Sequence, residues 1–115
     1  NKSALKVCVH ALKSHENDDT LHRNKGNILY ALDEPEKALE AFEKALDLNP
    51  YVVDTWVNKG TVLWKGLTER EKALAAFDKA LEINPNFMAA VDSRINLMAE
   101  IKANRPPFWK RIFGG

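Results

Sequence analysis

The segment KALEAFEKALDLNP at residues 37–50 returns at residues 72–85 as KALAAFDKALEINP, thirty-five residues on. Ten of the fourteen positions are identical, and Glu43/Asp78, Asp47/Glu82 and Leu48/Ile83 keep their chemistry. A catalytic centre has no use for two evenly spaced copies of its residues. A fold built by laying one unit on the next does.

Within the first copy, Ala38, Leu39, Phe42, Ala45, Leu46 and Leu48 recur at three- and four-residue spacing, and charged residues fill the other side. That period predicts an amphipathic helix over residues 36–48, with Glu40 and Lys44 as a favourable four-apart pair. Asp33-Glu34-Pro35 offers a cap, negative charge and a proline at the helix start. Asn49-Pro50 biases the chain out of helical geometry. Residues 69–83 read the same way, with Thr68 and Glu71 spaced as a capping box.

Ahead of each copy lies a second related pair, LHRNKGNILYAL (21–32) and TWVNKGTVLWKG (55–66). Asn24-Lys25-Gly26 reappears as Asn58-Lys59-Gly60, and Tyr30 as Trp64. A glycine inside a helical pattern costs about 1 kcal/mol relative to alanine. Its recurrence predicts close approach of a second helix, with Ala38/Ala45 and Ala73/Ala80 as the small counterparts. The unit is helix, short turn, helix.

Trp56, Gly60 and Leu63, followed by Ala73, Phe77, Ala80 and Pro85, resemble the tetratricopeptide repeat, a 34-residue helical hairpin with the pattern W-x2-L-G-x2-Y…A-x3-F…P. Gly26, Leu29, Ala38, Phe42, Ala45 and Pro50 resemble it too. His22 replaces the first Trp, Lys25 and Lys59 replace Leu, and one extra residue falls in Lys65-Gly66-Leu67-Thr68, read as the second unit's turn. Trp56 is read as core. The resemblance implies an all-α, right-handed superhelical array of antiparallel helix–turn–helix repeats. Its parts are a partial repeat at 1–18, repeats at 19–52 and 53–87, and a capping helix at 88–105. Ala4, Cys8 and Ala11 carry the register of Ala38, Phe42 and Ala45 into the partial repeat.

Such arrays hold a peptide or helix of a partner protein in a concave groove lined by the first helix of each unit. By resemblance, that groove takes Arg23, Asn24, Asn27 and Tyr30, then Asp54, Asn58, Thr61, Trp64 and Lys65, then Asp92 and Asn96. The amides of Asn24 and Asn58 either bond locally to backbone or face a ligand's backbone, since each carries an acceptor and two donors. Tyr30 and Trp64 each follow a core Leu by one residue, roughly 100° around the helix, which swings them toward the groove edge. Arg23, Asn27 and Asn58 match three parts of the carboxylate clamp that holds acidic chaperone tails in this family. Ala89 and Ser93 stand where its remaining cations belong, and Asp54 and Asp92 oppose an acidic ligand.

Residues 106–115 belong to no repeat and carry Phe108, Trp109, Ile112 and Phe113 around Lys110 and Arg111. Three readings stay open for this tail: it covers the last helix, it docks on a partner or second copy, or it meets an anionic membrane surface. Self-association through the tail or the open end of the stack is the alternative to groove binding.

The 17 basic and 16 acidic side chains nearly cancel, so nucleic acid is not an expected partner. The glycines are dispersed, leaving no phosphate loop. Cys8 and His10 would point about 200° apart on a helix, a poor start for shared ligation. No catalysis, metal or cofactor is expected. The single cysteine fits a reducing, cytoplasmic setting. No apolar run approaches the roughly 20 residues that span a bilayer. Without an initiator Met, the sequence reads as a piece of something longer or as a processed product.

Overall fold

The computed structural model describes residues 2–104, which form α1 (Lys2–Ser14), α2 (Asp19–Ala31), α3 (Pro35–Leu48), α4 (Val53–Thr61), α5 (Arg70–Ile83) and α6 (Met88–Ala103). A single π-helical turn, Val62–Gly66, prolongs α4. Phe108, Trp109, Ile112 and Phe113 lie outside the described residues. Each helix packs chiefly on its neighbours in sequence, with α2/α3 and α4/α5 as the two hairpins. The array is an all-α helical repeat solenoid, with no strand among the described residues.

The repeated glycines are where the hairpins close. Gly26 and Gly60 are buried, and a Cβ built on Gly60 would lie 2.6 Å from Phe77 Cε1. Gly26 stands in the same relation to Phe42, again at 2.6 Å. Ala38, Ala73 and Ala80 are fully buried beside these rings. Leu29, Ala38, Phe42 and Val62 form one core cluster, and Leu63, Ala73, Phe77 and Leu97 the next. Leu39 and Leu67 pack against both, so the units share a wall. A helix of this length is marginal alone in water, and shared burial is what holds it.

The helix starts differ from the sequence expectation. Neither Glu34 nor Glu69, the residues at the two N-caps, makes a side-chain capping bond. Asp33 and Thr68 instead adopt positive φ, 61° and 56°, and reverse the chain at matching positions. In the first hairpin, Asp33 N–H donates to Tyr30 O and Glu34 N–H to Leu29 O, the paired bonds of a Schellman C-cap. Thr68 is therefore the end of one helix and not the capping box of the next. Pro35 does occupy the first turn of α3, as expected.

The extra residue of the second unit also falls elsewhere than expected. The reversal at Thr68 matches that at Asp33, so the turn keeps its length. Val62–Gly66 widens instead into a π turn, closed by Leu67 N–H donating to Val62 O at 3.0 Å. Insertion into a helix can be absorbed this way without disturbing the packing on either side.

The departures from the repeat pattern each find a local partner. Trp56 Nε1 donates to Pro50 O at 2.8 Å, and His22 Nε2 makes the same bond to Glu16 O at 2.7 Å. The imidazole thus keeps the hydrogen bond of the indole it replaces. Trp56 is half-buried at the edge of the core, not enclosed within it. Lys59 extends over the Trp56 ring at 5.2 Å and reaches Glu43 at 3.6 Å. Cys8 is buried in place of a Phe, and its Sγ–H donates to Leu21 O. Burial pushes its thiol pKa up, against the field of Lys25. No group of His, Cys, Asp and Glu able to hold a metal occurs among the described residues.

Candidate peptide-binding groove

The first helices of the units, α2, α4 with its π turn, and α6, carry all of the groove residues inferred from sequence. On α2, Asn24 and Asn27 are exposed and Arg23 and Tyr30 half-buried. On α4, Asp54 is exposed and Asn58 and Thr61 half-buried, and Asp92 and Asn96 are exposed on α6. Lys65 is exposed in the π turn, beside half-buried Trp64.

Asn24 and Asn27 come together at one trough of about 480 Å³ between α1 and α2, floored by Ala4, Val7, Cys8, Ala11, Leu21 and Ile28. The amides of Asn24, Asn27 and Asn58 make no hydrogen bond to any described residue. The local backbone bonds open to Asn24 and Asn58 are therefore not made. The Thr61 hydroxyl, by contrast, is taken by its own helix, donating to Val57 O at 3.0 Å.

Trp64 is already engaged. Its indole N–H donates to Glu100 Oε2 of α6 at 2.5 Å, and Arg70 Nε donates to the same oxygen at 3.0 Å. The ring and that of Phe77 meet edge to face at 6.3 Å, and Lys65 Nζ lies 3.9 Å from the Trp64 centroid. The hydrogen bonds from Trp64 first, then Arg70, hold the Glu100 carboxyl below its ordinary pKa. Trp64 thus ties α4, α5 and α6 together and offers a ligand only what remains of its surface. Sequence spacing could not show this, because Glu100 is 36 residues away and matches no repeat position of the indole.

Two further depressions repeat in register on another side. Leu5, His22, Lys25 and Leu29 line one, and Leu39, Trp56, Lys59 and Leu63 line the other, with volumes of about 670 and 500 Å³. Their rims carry the ion pairs Lys37–Glu34 and Lys72–Glu69. Sequence analysis did not single them out, although the lysines in place of Leu were their signal.

Two models of the tetratricopeptide repeat match residues 20–51 and 53–87, the two hairpins with the approach to each. The chain belongs to the tetratricopeptide-repeat family. Among solved structures, it is similar to the first such domain of Spaghetti (RPAP3) bound to the HSP90 peptide SRMEEVD. The identity is 16%, over 85% of this chain and 77% of that one, with a TM-score of 0.80. It is similar to the Sgt2 domain of Aspergillus fumigatus at 22% identity over 90% and 72%, TM-score 0.80. YrrB, a tetratricopeptide-repeat protein with an unusual peptide-binding site, shares 30% identity over 81% and 47%, TM-score 0.76. No curated protein sequence matches the chain.

Proposed function

We propose that this tetratricopeptide-repeat chain is a non-catalytic interaction module that holds a peptide or helix of a partner protein along α2, α4 and α6. The observation that carries this reading is the set of amides at Asn24, Asn27 and Asn58 on α2 and α4, which have no hydrogen-bond partner among the described residues. An amide left open at matching places on stacked units can pair with the backbone of an extended chain. Two of the similar structures support the reading, one holding a chaperone peptide and the other described by its peptide-binding site.

Charge argues for a ligand that is not uniformly acidic. Arg23 and Lys65 are matched by Asp54 and Asp92, while Ala89 and Ser93 offer no cation on α6. Arg23 and Lys65 would then select one end of the ligand and the two aspartates another. No described helix is long and apolar enough to cross a membrane.

The test is a peptide array probed with the labelled chain and then with variants. Asn24→Ala and Asn58→Ala should each weaken the selected peptides about fivefold, the equivalent of ~1 kcal/mol of neutral hydrogen bonding. Arg23→Glu should change which peptides are selected. Unchanged affinity in the double Asn variant would sink the reading and favour a structural role for the stack.

A further inference from the structure

The two outermost helices, α1 and α6, have no hairpin mate among the described residues, and what each lacks the other resembles. On α6, buried Ala90 and Leu97 take the places of Thr55 and Val62 of α4, thirty-five residues earlier. That register sets Ile95 where Gly60 stands and Met98 where Leu63 stands. Gly60 and Leu63 are buried, whereas Ile95 is 59% exposed and Met98 42%. The side that α4 turns to α5 is therefore uncovered on α6.

The converse holds on α1. Ala4, Cys8 and Ala11 carry the register of Ala38, Phe42 and Ala45, which sets Val7 where Ala41 stands. Ala41 and its counterpart Ala76 are buried, but Val7 is 70% exposed. Against this side lies the trough of about 480 Å³ between α1 and α2. Leu21 and Ile28 in its floor are half-buried, although Thr55 and Val62 at the same places of α4 are enclosed in the stack. A first helix laid in this trough stands to α1 as α2 stands to α3. Terminal units that end a stack characteristically turn a polar face outward. These two faces are apolar.

Steric fit at one place selects the mate. A Cβ on Gly60 would lie 2.6 Å from Phe77 Cε1, so Ile95 at that place shuts out a second helix carrying Phe. Of the described second helices, α3 and α5 carry Phe42 and Phe77, and α1 alone carries a small side chain there, Cys8. Ile over Cys fills about the same volume as Gly under Phe, the kind of exchange a packed core tolerates best. Charge agrees with this pairing. Two α1 helices face to face would set Lys2, Lys6 and Lys13 against their own kind, with no acid on either. Across the outer depression of the stack, Glu43, paired with Lys59, shares its rim with Lys79. Asp78, paired with Arg94, repeats that acid on α5, and His10 of a second copy falls at the place of Lys79.

We infer that α6 of one copy seats on α1 of a second copy and completes a helical hairpin between chains, with Ile95 over Cys8. Met98 then packs with Ala4 as Leu63 packs with Ala73. The apolar floor of the trough takes the helix. Asn24 and Asn27 stay at its rim, just as Asn58 and Thr61 stay only half-buried on α4. The contact joins two different surfaces, so each added copy offers a fresh α6 at one end and a fresh α1 at the other. Association of this kind propagates instead of closing at a dimer.

The experiment is sedimentation velocity with light scattering on the full chain over a wide range of concentration. The expected result is a weight-average mass that climbs past twice that of the monomer. Ile95→Asp and Val7→Asp change exposed positions and should keep helical circular dichroism. Each should be monomeric alone. Their equimolar mixture should form a dimer and nothing larger, because one intact α6 meets one intact α1. Cys8→Phe should lose the association, and Cys8→Phe with Ile95→Gly, which copies the Gly60–Phe77 pair, should regain it. A monomer at every concentration would overturn the proposal. So would association that survives in either Asp variant alone, since that places the contact elsewhere. The Ile95→Asp chain keeps every groove residue, so its peptide binding is judged separately and failure here leaves that reading intact.

Discussion

A Cβ on Gly60 would lie 2.6 Å from Phe77 Cε1, and one on Gly26 would lie at the same distance from Phe42. Alanine at an ordinary helical glycine gains about 1 kcal/mol. Here the ring it meets is fully buried, and overpacking a tight core costs about 1–3 kcal/mol. Gly60→Ala should therefore lose about 1 kcal/mol net in urea unfolding, and Phe77→Leu in that background should recover part of it. An alanine variant more stable than the parent would show that helix propensity outweighs close packing at this site.

The positive φ of Thr68 and Asp33 makes an opposite prediction for glycine. A branched side chain held in left-handed geometry costs about 1–2 kcal/mol, while glycine's greater freedom in the unfolded chain offsets part of the relief. Thr68→Gly should raise stability by about 1 kcal/mol. Asp33→Gly should gain less, because Asp tolerates this conformation. Chemical unfolding of the two variants checks the order.

Absorption of the extra residue in a π turn predicts that the residue is dispensable to the fold. Deletion of Gly66 restores the spacing of the first hairpin and should leave helical circular dichroism and a single cooperative melt. Loss of cooperativity would mean the π turn itself holds the two hairpins together.

Glu100 gives the stack a pH dependence of known sign. Its folded pKa lies below the ordinary 4.5, so the folded state binds fewer protons than the unfolded chain in acid. The stabilisation is complete above 4.5 and fades as pH falls through the lower folded value. Melting temperature should drop over that window, and Glu100→Gln should flatten the part of the drop owed to this group. Trp64→Phe, which removes the first donor, should shift the Glu100 titration upward in carboxyl NMR.

The helices, their order and the two hairpins were legible in the sequence because packing repeats leave repeated residues. Phe42 and Phe77 had to be buried, and Gly26 and Gly60 had to face them. What escaped was set by hydrogen-bond geometry that residue type alone does not specify. Asp33 and Thr68 resemble helix caps in composition, and only backbone angles show that they end the preceding helix. A spacing of thirty-five announces an extra residue but not which turn widens to take it. Trp64 looked like an open anchor because its partner, Glu100, belongs to the atypical last helix. The amides of Asn24 and Asn58 were legible as candidates, and the structure adds that neither bonds back to any described residue.

The most direct test of the groove is an NMR titration of the isotope-labelled chain with a peptide selected on the array. Binding along the inner helices predicts shifts at the side-chain amides of Asn24, Asn27 and Asn58 and at backbone amides near Thr61 and Lys65. Shifts confined to Leu39, Lys59 and Lys79 at the outer depression, with those amides unmoved, would contradict it.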